Sequence, residues 1–319
     1  MVKELSTLSD AFPEPRLLVI VGPTGVGKTQ LALQLARSMG GEIISADSLQ
    51  VYRYMDIGTA KPGKEERAAV LHHLIDVVTP DQPFNASSYI ELAGQVLGEA
   101  EGKDKLFLVA GGTGLYIKAL LGGLFSGPGA DQGLRAHYRE LLAHFGIAHL
   151  YGMLKEKDPR AAARIVPRDT SRIVRALEVW ELSGQSIVEK QQQHGFGDKS
   201  YRHLKIGLTM EREQLYARIG RRVEDMMDQG FLQEVEWLLA QGYHEGLKPM
   251  QSLGYRHMAG YLRGKYGLEE AVASMKRDTR QYAKRQETWF KADREINWFN
   301  IEEIPAITAL VQGFLAEIS

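Results

Sequence analysis

A short apolar run that ends in a glycine-rich loop constrains the fold more than any other part of the chain. Residues 17–21 (LLVIV) lead into GPTGVGKT, where Gly22, Gly27, Lys28 and Thr29 match the pattern G-x-x-x-x-G-K-[ST]. A loop of this kind joins a buried strand to a helix, because its N–H groups and the helix N-terminus point at an anion. The pattern therefore predicts an α/β protein with a phosphate site after its first strand.

We expect the loop residues to have separate roles in binding a phosphate chain. Lys28 would neutralise outer phosphate oxygens, and the Thr29 hydroxyl is the kind of ligand that a phosphate-bound Mg²⁺ takes. We therefore expect Mg²⁺ as the cofactor, with Thr29 as its ligand. A glycine-rich structural turn is the alternative interpretation. The predicted phosphate-binding residues are Gly22, Pro23, Thr24, Gly25, Val26, Gly27, Lys28 and Thr29.

The composition favours a folded soluble protein of moderate size. The 319 residues are 44% hydrophobic and 25% charged, which suits one large domain or two smaller ones. The absence of cysteine excludes disulfides and thiolate zinc sites, so any metal must bind oxygen or imidazole. No stretch approaches the ~20 apolar residues that cross a bilayer. We expect a cytoplasmic monomer without a membrane partner.

Patterning along the chain predicts two kinds of region. Short apolar runs at 42–46, 105–110 and 203–210 are typical of buried parallel strands alternating with helices. Residues 126–201 carry only helical patterns. The predicted fold class is α/β: a P-loop NTPase-like core with a parallel sheet flanked by helices, plus an all-helical insertion domain. The core would comprise 1–125 and 202–319, with helices at 211–230, 232–242 and about 268–291. We also expect a helix cap near Asn85 or Ser87 and a late strand at 295–300.

The charge is unevenly distributed, although the formal net charge is only −1. Residues 128–202 carry 12 basic and 9 acidic side chains, and residues 272–294 carry 7 and 3. Concentrated basic surface is expected where a protein contacts a polyanion. Ordinary solvated helix faces would give the same local counts.

Asp47 is notable because the chain lacks the acidic residue that P-loop hydrolases carry at the end of a strand. P-loop hydrolases place a carboxylate at the end of a hydrophobic strand, but the strand at 105–110 ends in GGTGLY. The nearest acid at a strand end is Asp47. It could be a metal ligand of a kinase-like enzyme, a base facing an acceptor substrate, or a residue that caps the following turn.

Seven sequence blocks resemble those of the tRNA dimethylallyltransferases, also called tRNA isopentenyltransferases, of the bacterial type. They occur in the order typical of that family and extend over nearly the whole chain. Their length makes the resemblance far more specific than the P-loop alone. The blocks are GPTGVGKT, EIISADSLQVYRYMDIGTAKP, HHLIDVVTPDQPFNASSY, VAGGTGLYIKALLGGL, SRIVRALEV, QSLGYRHM and TRQYAKRQETWF.

The resemblance implies transfer of a dimethylallyl group from dimethylallyl diphosphate to the exocyclic amine of the adenosine 3′ of the anticodon in tRNA. The loop would hold the donor's diphosphate, so Lys28 would act catalytically. Asp47 resembles the family's base, and Arg218 resembles its diphosphate-binding arginine. Thr24 matches a substrate-contacting position. Arg221 and Arg222 remain open between solvent-facing and phosphate-backbone roles.

The same resemblance implies contacts with the anticodon stem-loop of tRNA, whose target adenine must leave its stack and enter a channel. Thr113 matches a position facing tRNA, although it could also cap a helix. Arg168, Arg172 and Arg175 form a basic stripe that could bind RNA or face solvent. The full set of expected tRNA contacts is Asp47, Ser48, Leu49, Gln50, Thr113, Arg135, Arg172, Arg175, Gln251, Ser252, Leu253, Gly254, Tyr255 and Arg256.

The late helix at about 268–291 has two distinct faces. We expect its apolar and aromatic residues to lie in the core rather than to stack on bases, and its basic residues to face RNA. The predicted core residues are Val272, Met275, Tyr282 and Trp289, and the basic residues are Arg277, Arg280, Lys284 and Lys291.

Two other functions fit parts of the sequence. A kinase acting on a nucleotide or small molecule would use ATP on this loop, with Asp47 as base or metal ligand. That function leaves the basic stripe unexplained. An RNA-binding module that senses a nucleotide would leave Lys28, Thr29 and Asp47 without a chemical task.

Overall fold

A six-stranded parallel sheet forms the centre of the computed structural model, which describes residues 15–100, 102–103, 105–124, 127–194 and 201–317. The strand order is β3-β2-β4-β1-β5-β6. The predicted strands are confirmed, and the two-residue edge strand β3 was not predicted. The strands are β1 (Arg16–Val21), β2 (Glu42–Ser45), β3 (His72–His73), β4 (Leu106–Ala110), β5 (His203–Thr209) and β6 (Asn297–Asn300).

The central strand β1 carries the glycine-rich loop at its carboxyl end. Residues 17–21 are almost fully buried, because β1 pairs with β4 on one side and β5 on the other. Leu18, for example, lies opposite Leu108 and Leu204. Burial on both faces explains a continuous apolar run rather than an alternating one. The loop is therefore anchored in the middle of the sheet.

Thirteen α-helices occur in the described residues, and none combines the length and hydropathy needed to span a bilayer. Of the two predicted cap positions, Asn85 is the cap, since its side chain accepts from the N–H groups of Ser87 and Ser88. The helices are α1 (Lys28–Met39), α2 (Lys64–Ala69), α3 (Ala86–Gly98), α4 (Gly114–Gly122), α5 (Gln132–Lys157), α6 (Pro159–Ala162), α7 (Thr170–Ser183), α8 (Ile187–His194), α9 (Arg212–Asp228), α10 (Phe231–Ala240), α11 (Tyr255–Leu262), α12 (Leu268–Lys291) and α13 (Ile304–Ala316).

The late helix α12 has the predicted bounds but not the predicted buried face. Met275 is buried as expected, whereas Trp289 is 46% exposed, so its assignment to the core is wrong. The neighbouring Phe290 is buried instead, because successive residues on a helix point about 100° apart. Tyr282 is half-buried and lines cavities that are described below.

The chain divides into two compact units, Met1–Leu120 with Tyr201–Ser319, and Leu121–Ser200. The sheet belongs to the first unit. The second unit has no strand in its described residues, and its helices pack around a separate core that includes Tyr138, Leu154 and Leu177. Gly146 adopts φ 77° inside α5, a left-handed conformation that glycine tolerates. The predicted fold class, with a parallel sheet and flanking helices, is confirmed.

Candidate active site

The loop between β1 and α1 has a backbone that only glycine accommodates. Gly22, Gly25 and Gly27 have φ angles of 141°, 85° and 112°. A Cβ atom on Gly22 would lie 2.6 Å from the carbonyl oxygen of Leu208 on β5. The three glycines therefore let the loop turn tightly and place its N–H groups around an anion.

Lys28 folds back onto this loop. Its Nζ donates to the carbonyl oxygens of Gly22 and Pro23 at 2.9 and 2.8 Å. Burial and then the positive charge of Arg222 lower the pKa of Lys28 to about 7, against the opposing effect of Asp47. An anion in the loop would offer Nζ charged acceptors in place of two neutral carbonyls, and would favour the protonated amine.

A cleft of about 1100 Å³ surrounds the loop. Its positive charges come from Lys28 and Arg37 of α1 and from three arginines of α9. These are Arg218, Arg221 and Arg222, spaced so that they share one helix face. We call this space the anion cleft. Arg222, whose role the sequence left open, is partly buried in the cleft wall, whereas Arg221 is exposed.

Asp47 lies just beyond the end of β2. Its Oδ1 accepts a hydrogen bond from the N–H of Leu49 at 2.8 Å, which closes a turn as the capping interpretation expected. The same side chain also lines the anion cleft. The capping and functional interpretations are thus compatible, because the turn holds the carboxylate at the cleft wall.

A second cavity of about 390 Å³ lies beside the anion cleft. Its walls include Tyr52, Tyr116 and Met226, so it is more aromatic and apolar. Burial raises the pKa of Tyr116, so its phenol is protonated at neutral pH. The two spaces share four residues, which we call the junction residues. They are Thr24, Asp47, Arg222 and Tyr282.

Gln286 of α12 ties two walls of the anion cleft together. Its Oε1 accepts from the N–H of Thr24 at 2.8 Å, and its Nε2 donates to the carbonyl of Gly112 at 3.0 Å. Sequence analysis missed this residue. The available signal was a glutamine at a position that helical spacing places on the buried face of α12, with Met275, Ala283 and Phe290.

Thr113 and Gln50 both bond within the protein. The hydroxyl of Thr113 accepts from the N–H of Ser48 at 3.0 Å, so it stabilises the turn after β2. The side-chain oxygen of Gln50 accepts from the Ser45 hydroxyl at 2.9 Å, and Gln50 is largely buried. Both residues support the wall formed by the segment after Asp47.

The segment 251–256 is only partly available to a ligand. Ser252, Leu253 and Arg256 line the second cavity, and Gln251 is exposed. Tyr255 has no exposed surface, so its expected direct contact with tRNA is corrected: the ring packs edge-on against Phe231. The buried Gly254 needs the same correction. With φ 85°, it turns the chain into α11.

Glu234 of α10 joins this segment to the loop that follows β2. Its carboxylate accepts from the N–H groups of Asp56, Ile57 and Gly58 at 2.9, 2.7 and 3.1 Å. It also accepts from the hydroxyl of Tyr255 at 2.6 Å. Since Gly58 lines the second cavity, Glu234 positions part of that cavity's wall.

In the second unit, two of the predicted tRNA-binding arginines are ion-paired with a buried glutamate. Arg135 makes a bidentate pair with Glu178 at 2.8 and 3.0 Å, and Arg175 reaches the same carboxylate at 2.6 Å. Burial opposes ionisation of Glu178, but these hydrogen bonds hold its pKa below the usual value. Arg135 and Arg175 therefore have a structural role. Their side chains are still 38% and 29% exposed, so their contacts with tRNA stay a prediction. Arg172 remains largely exposed beside Asp169.

The described part of the chain has no ready-made cluster of metal ligands. The described residues contain no group of three or more His, Asp or Glu side chains placed to hold an ion. Thr29 is exposed at the start of α1 and lines the anion cleft. This donor set suits Mg²⁺, which usually keeps several waters and binds mainly through substrate phosphates.

Fold and site together define a P-loop protein in which an anion cleft meets a second cavity at the carboxylate of Asp47. A family model described as IPP transferase matches residues 50–293. The chain belongs to the IPP transferase family, and the resemblance seen in the sequence blocks is confirmed.

Relatives extend over nearly the whole chain. A protein of Syntrophus aciditrophicus named tRNA dimethylallyltransferase 2 is 58% identical over 300 residues, covering 93% of this chain and 96% of that protein. A tRNA dimethylallyltransferase of Syntrophobacter fumaroxidans is 51% identical over 295 residues, covering 92% and 86%.

Solved structures share the fold. The full-length tRNA isopentenylpyrophosphate transferase of Bacillus halodurans is 39% identical with a TM-score of 0.70, over 95% of this chain and 97% of that one. A eukaryotic dimethylallyltransferase captured acting on tRNA is 26% identical with a TM-score of 0.81, over 95% and 80%.

Proposed function

We propose that the chain transfers a dimethylallyl group from dimethylallyl diphosphate to the exocyclic amine of the adenosine immediately 3′ of the anticodon in tRNA, releasing pyrophosphate. The observation that carries the proposal is the junction between the two spaces. A diphosphate in the anion cleft and a flipped base in the second cavity would meet at Asp47. The names of the relatives support the same activity.

The anion cleft supplies the electrostatics for the leaving group. An allylic diphosphate ionises readily once its departing oxygens are stabilised, so the chain must mainly absorb negative charge. Lys28, the loop N–H groups, Arg218 and Arg222 line the cleft for this task. Thr24 lies at the junction, where the reacting carbon of the donor would emerge.

Asp47 would orient the acceptor and receive its proton. The amine loses a proton as its nitrogen gains the prenyl carbon, and a carboxylate within reach is a suitable base. The hydrogen bond from Leu49 fixes one carboxylate oxygen in place. Asp47 also lines the second cavity and is available to a base bound there.

Mg²⁺ fits the cleft as a partner of the diphosphate. Thr29 would hold it together with oxygens of the donor, and Mg²⁺ would neutralise part of the charge on the leaving group. The tRNA would contact the second cavity through Ser48, Leu49, Ser252, Leu253 and Arg256. The helical unit would add Arg172. We also propose that the protein acts on tRNA as a monomer in the cytoplasm.

The test is to incubate the protein with dimethylallyl diphosphate, Mg²⁺ and unmodified tRNA, and to weigh the tRNA by mass spectrometry. We expect the tRNA to gain one dimethylallyl group, located by nuclease mapping to the adenosine 3′ of the anticodon. Formation of ADP from ATP with a small acceptor would instead support a kinase. Tight tRNA binding without a mass change would support an RNA-binding module.

A further inference from the structure

Tyr282 is the one junction residue to which the proposed mechanism assigns no role. Thr24, Asp47 and Arg222 already contact the donor, the acceptor amine or the leaving group in the proposal. Tyr282 lines both spaces, although the sequence pattern predicted it for the core. It lies one helical turn before Gln286 on α12.

The proposed reaction creates positive charge that the anion cleft cannot stabilise. As the allylic C–O bond breaks, its electron pair leaves with pyrophosphate, and the five-carbon fragment becomes electron-poor. Lys28, Arg218 and Arg222 favour the departing oxygens but repel a neighbouring cation. Asp47 attracts that cation, yet it must also accept the amine proton. A further group with negative potential is therefore needed at the junction.

We propose that Tyr282 is a catalytic residue whose aromatic ring stabilises the positive charge developing on the dimethylallyl carbons. This inference rests on the proposed function. The nitrogen lone pair of adenosine forms the new N–C bond, the C–O electron pair leaves with pyrophosphate, and the amine proton passes to Asp47. The ring takes no part in bond making. Its face attracts the cation, as aromatic rings do in other cation sites.

The surroundings of Tyr282 favour a role for the ring over one for a phenolate. Burial, followed by the negative charge of Asp47, raises the pKa of Tyr282 to about 12, so the phenol stays protonated near neutral pH. The ring also has a cationic neighbour, since the guanidinium carbon of Arg285 lies 5.8 Å from its centroid. Its π-system thus already lies beside positive charge in the folded chain.

The experiment measures the single-turnover rate of prenyl transfer and the affinity for each substrate. Tyr282→Phe keeps the ring, and we expect a rate within about fivefold of wild type. Tyr282→Leu keeps an apolar side chain but removes the ring, and we expect a rate about 10- to 30-fold lower with nearly unchanged affinities. Tyr216→Leu is the matched control, because Tyr216 also carries arginines over its ring but lies outside both spaces.

Fluorinated phenylalanines at position 282 separate the cation effect from packing. Added fluorines weaken the negative face of the ring while changing its size little, so we expect the rate to fall stepwise with fluorine number. Equal rates across the fluorinated series would overturn the inference. It would also be overturned if Tyr282→Leu weakened tRNA binding while leaving the rate unchanged, since Tyr282 would then be only a wall for the base. Failure of the wild-type protein to modify tRNA would instead refute the proposed function.

Discussion

The backbone N–H of Thr24 donates to the side-chain oxygen of Gln286 at 2.8 Å, which joins the glycine-rich loop to a helix 262 residues later in the chain. The amide nitrogen of the same side chain donates to the carbonyl oxygen of Gly112. The glycine-rich loop, which we propose binds the leaving group, is therefore positioned by α12 as well as by the strand that precedes it. This link makes Gln286 a positioning residue for the donor.

Replacement of Gln286 by leucine should weaken donor binding. Loss of the amide leaves the Thr24 N–H and the Gly112 carbonyl without a buried partner, which costs roughly 1–3 kcal/mol. We expect KM for dimethylallyl diphosphate to rise about tenfold while KM for tRNA stays near its wild-type value. Steady-state kinetics with each substrate varied will measure both values. Gln214→Leu, at an exposed position of α9, should change neither, and a rise confined to KM for tRNA would contradict the assignment.

Asp47 should be needed for turnover but not for tRNA binding. Asp47→Asn keeps an oxygen that can accept from Leu49 but cannot take the amine proton, so we expect turnover to fall about 10²- to 10⁴-fold. Asp47→Ala should lose most turnover as well. Filter binding should show tRNA affinity within a few-fold of wild type. Asp81→Asn, at an exposed position, is the control, and full activity of Asp47→Asn would exclude a role as base.

Donor binding should take up a proton above neutral pH. The pKa of Lys28 is lowered to about 7 in the free protein, and a bound diphosphate must raise it, because the anion favours the protonated amine. Affinity for the donor should therefore be highest below about pH 7 and fall by at most about tenfold per pH unit above it.

Calorimetry at pH 8 in buffers of different ionisation enthalpy will count the protons taken up. Lys28→Ala separates the lysine from the diphosphate's own titration, and it should reduce the uptake. An affinity that stays constant from pH 7 to 9, with no proton uptake in the wild-type protein, would show that Lys28 is already charged in the free protein.

The arginines of the helical unit should separate into two classes. Arg175→Ala leaves the buried Glu178 with one partner fewer, and we expect a loss of about 3 kcal/mol in the free energy of unfolding. Arg172→Ala removes an exposed guanidinium, so stability should change by less than about 0.5 kcal/mol. If Arg172 contacts a phosphate, its loss should reduce the number of counterions released on tRNA binding by about one. The slope of log K against log salt concentration measures that number.

Thermal or urea unfolding and binding titrations over a range of salt concentrations will distinguish these effects. Equal stability of the two variants would contradict the structural role of Arg175. A salt dependence unchanged by Arg172→Ala would remove Arg172 from the proposed tRNA interface.

Local features of the sequence were sufficient for most elements of the fold. The apolar run at 17–21, followed by closely spaced glycines, predicts both the central strand and its loop. The helical spacing from Leu268 predicts α12 with its observed ends. These features succeed because burial on both faces of a strand and one-sided burial of a helix leave direct traces in neighbouring residues.

Contacts between distant segments left no such trace. Helical spacing groups Tyr282 and Trp289 on one face, but only tertiary packing turns the first toward the cavities and leaves the second exposed. The basic stripe likewise gives no sign that Arg175 pairs with Glu178, because Glu178 becomes buried only when its helix packs. The junction residues come from four separate segments, so the spacing of residues along the chain could not reveal their meeting.

The central position of β1 affects which parts of the sequence can change during evolution. The glycine-rich loop follows a strand that is paired on both sides, whereas most of the residues that line the second cavity lie in connecting segments or at helix ends. Such segments tolerate sequence drift better than a sheet interior does. Under the proposed function, we therefore expect more sequence variation around the RNA substrate than around the diphosphate, whose chemistry is fixed.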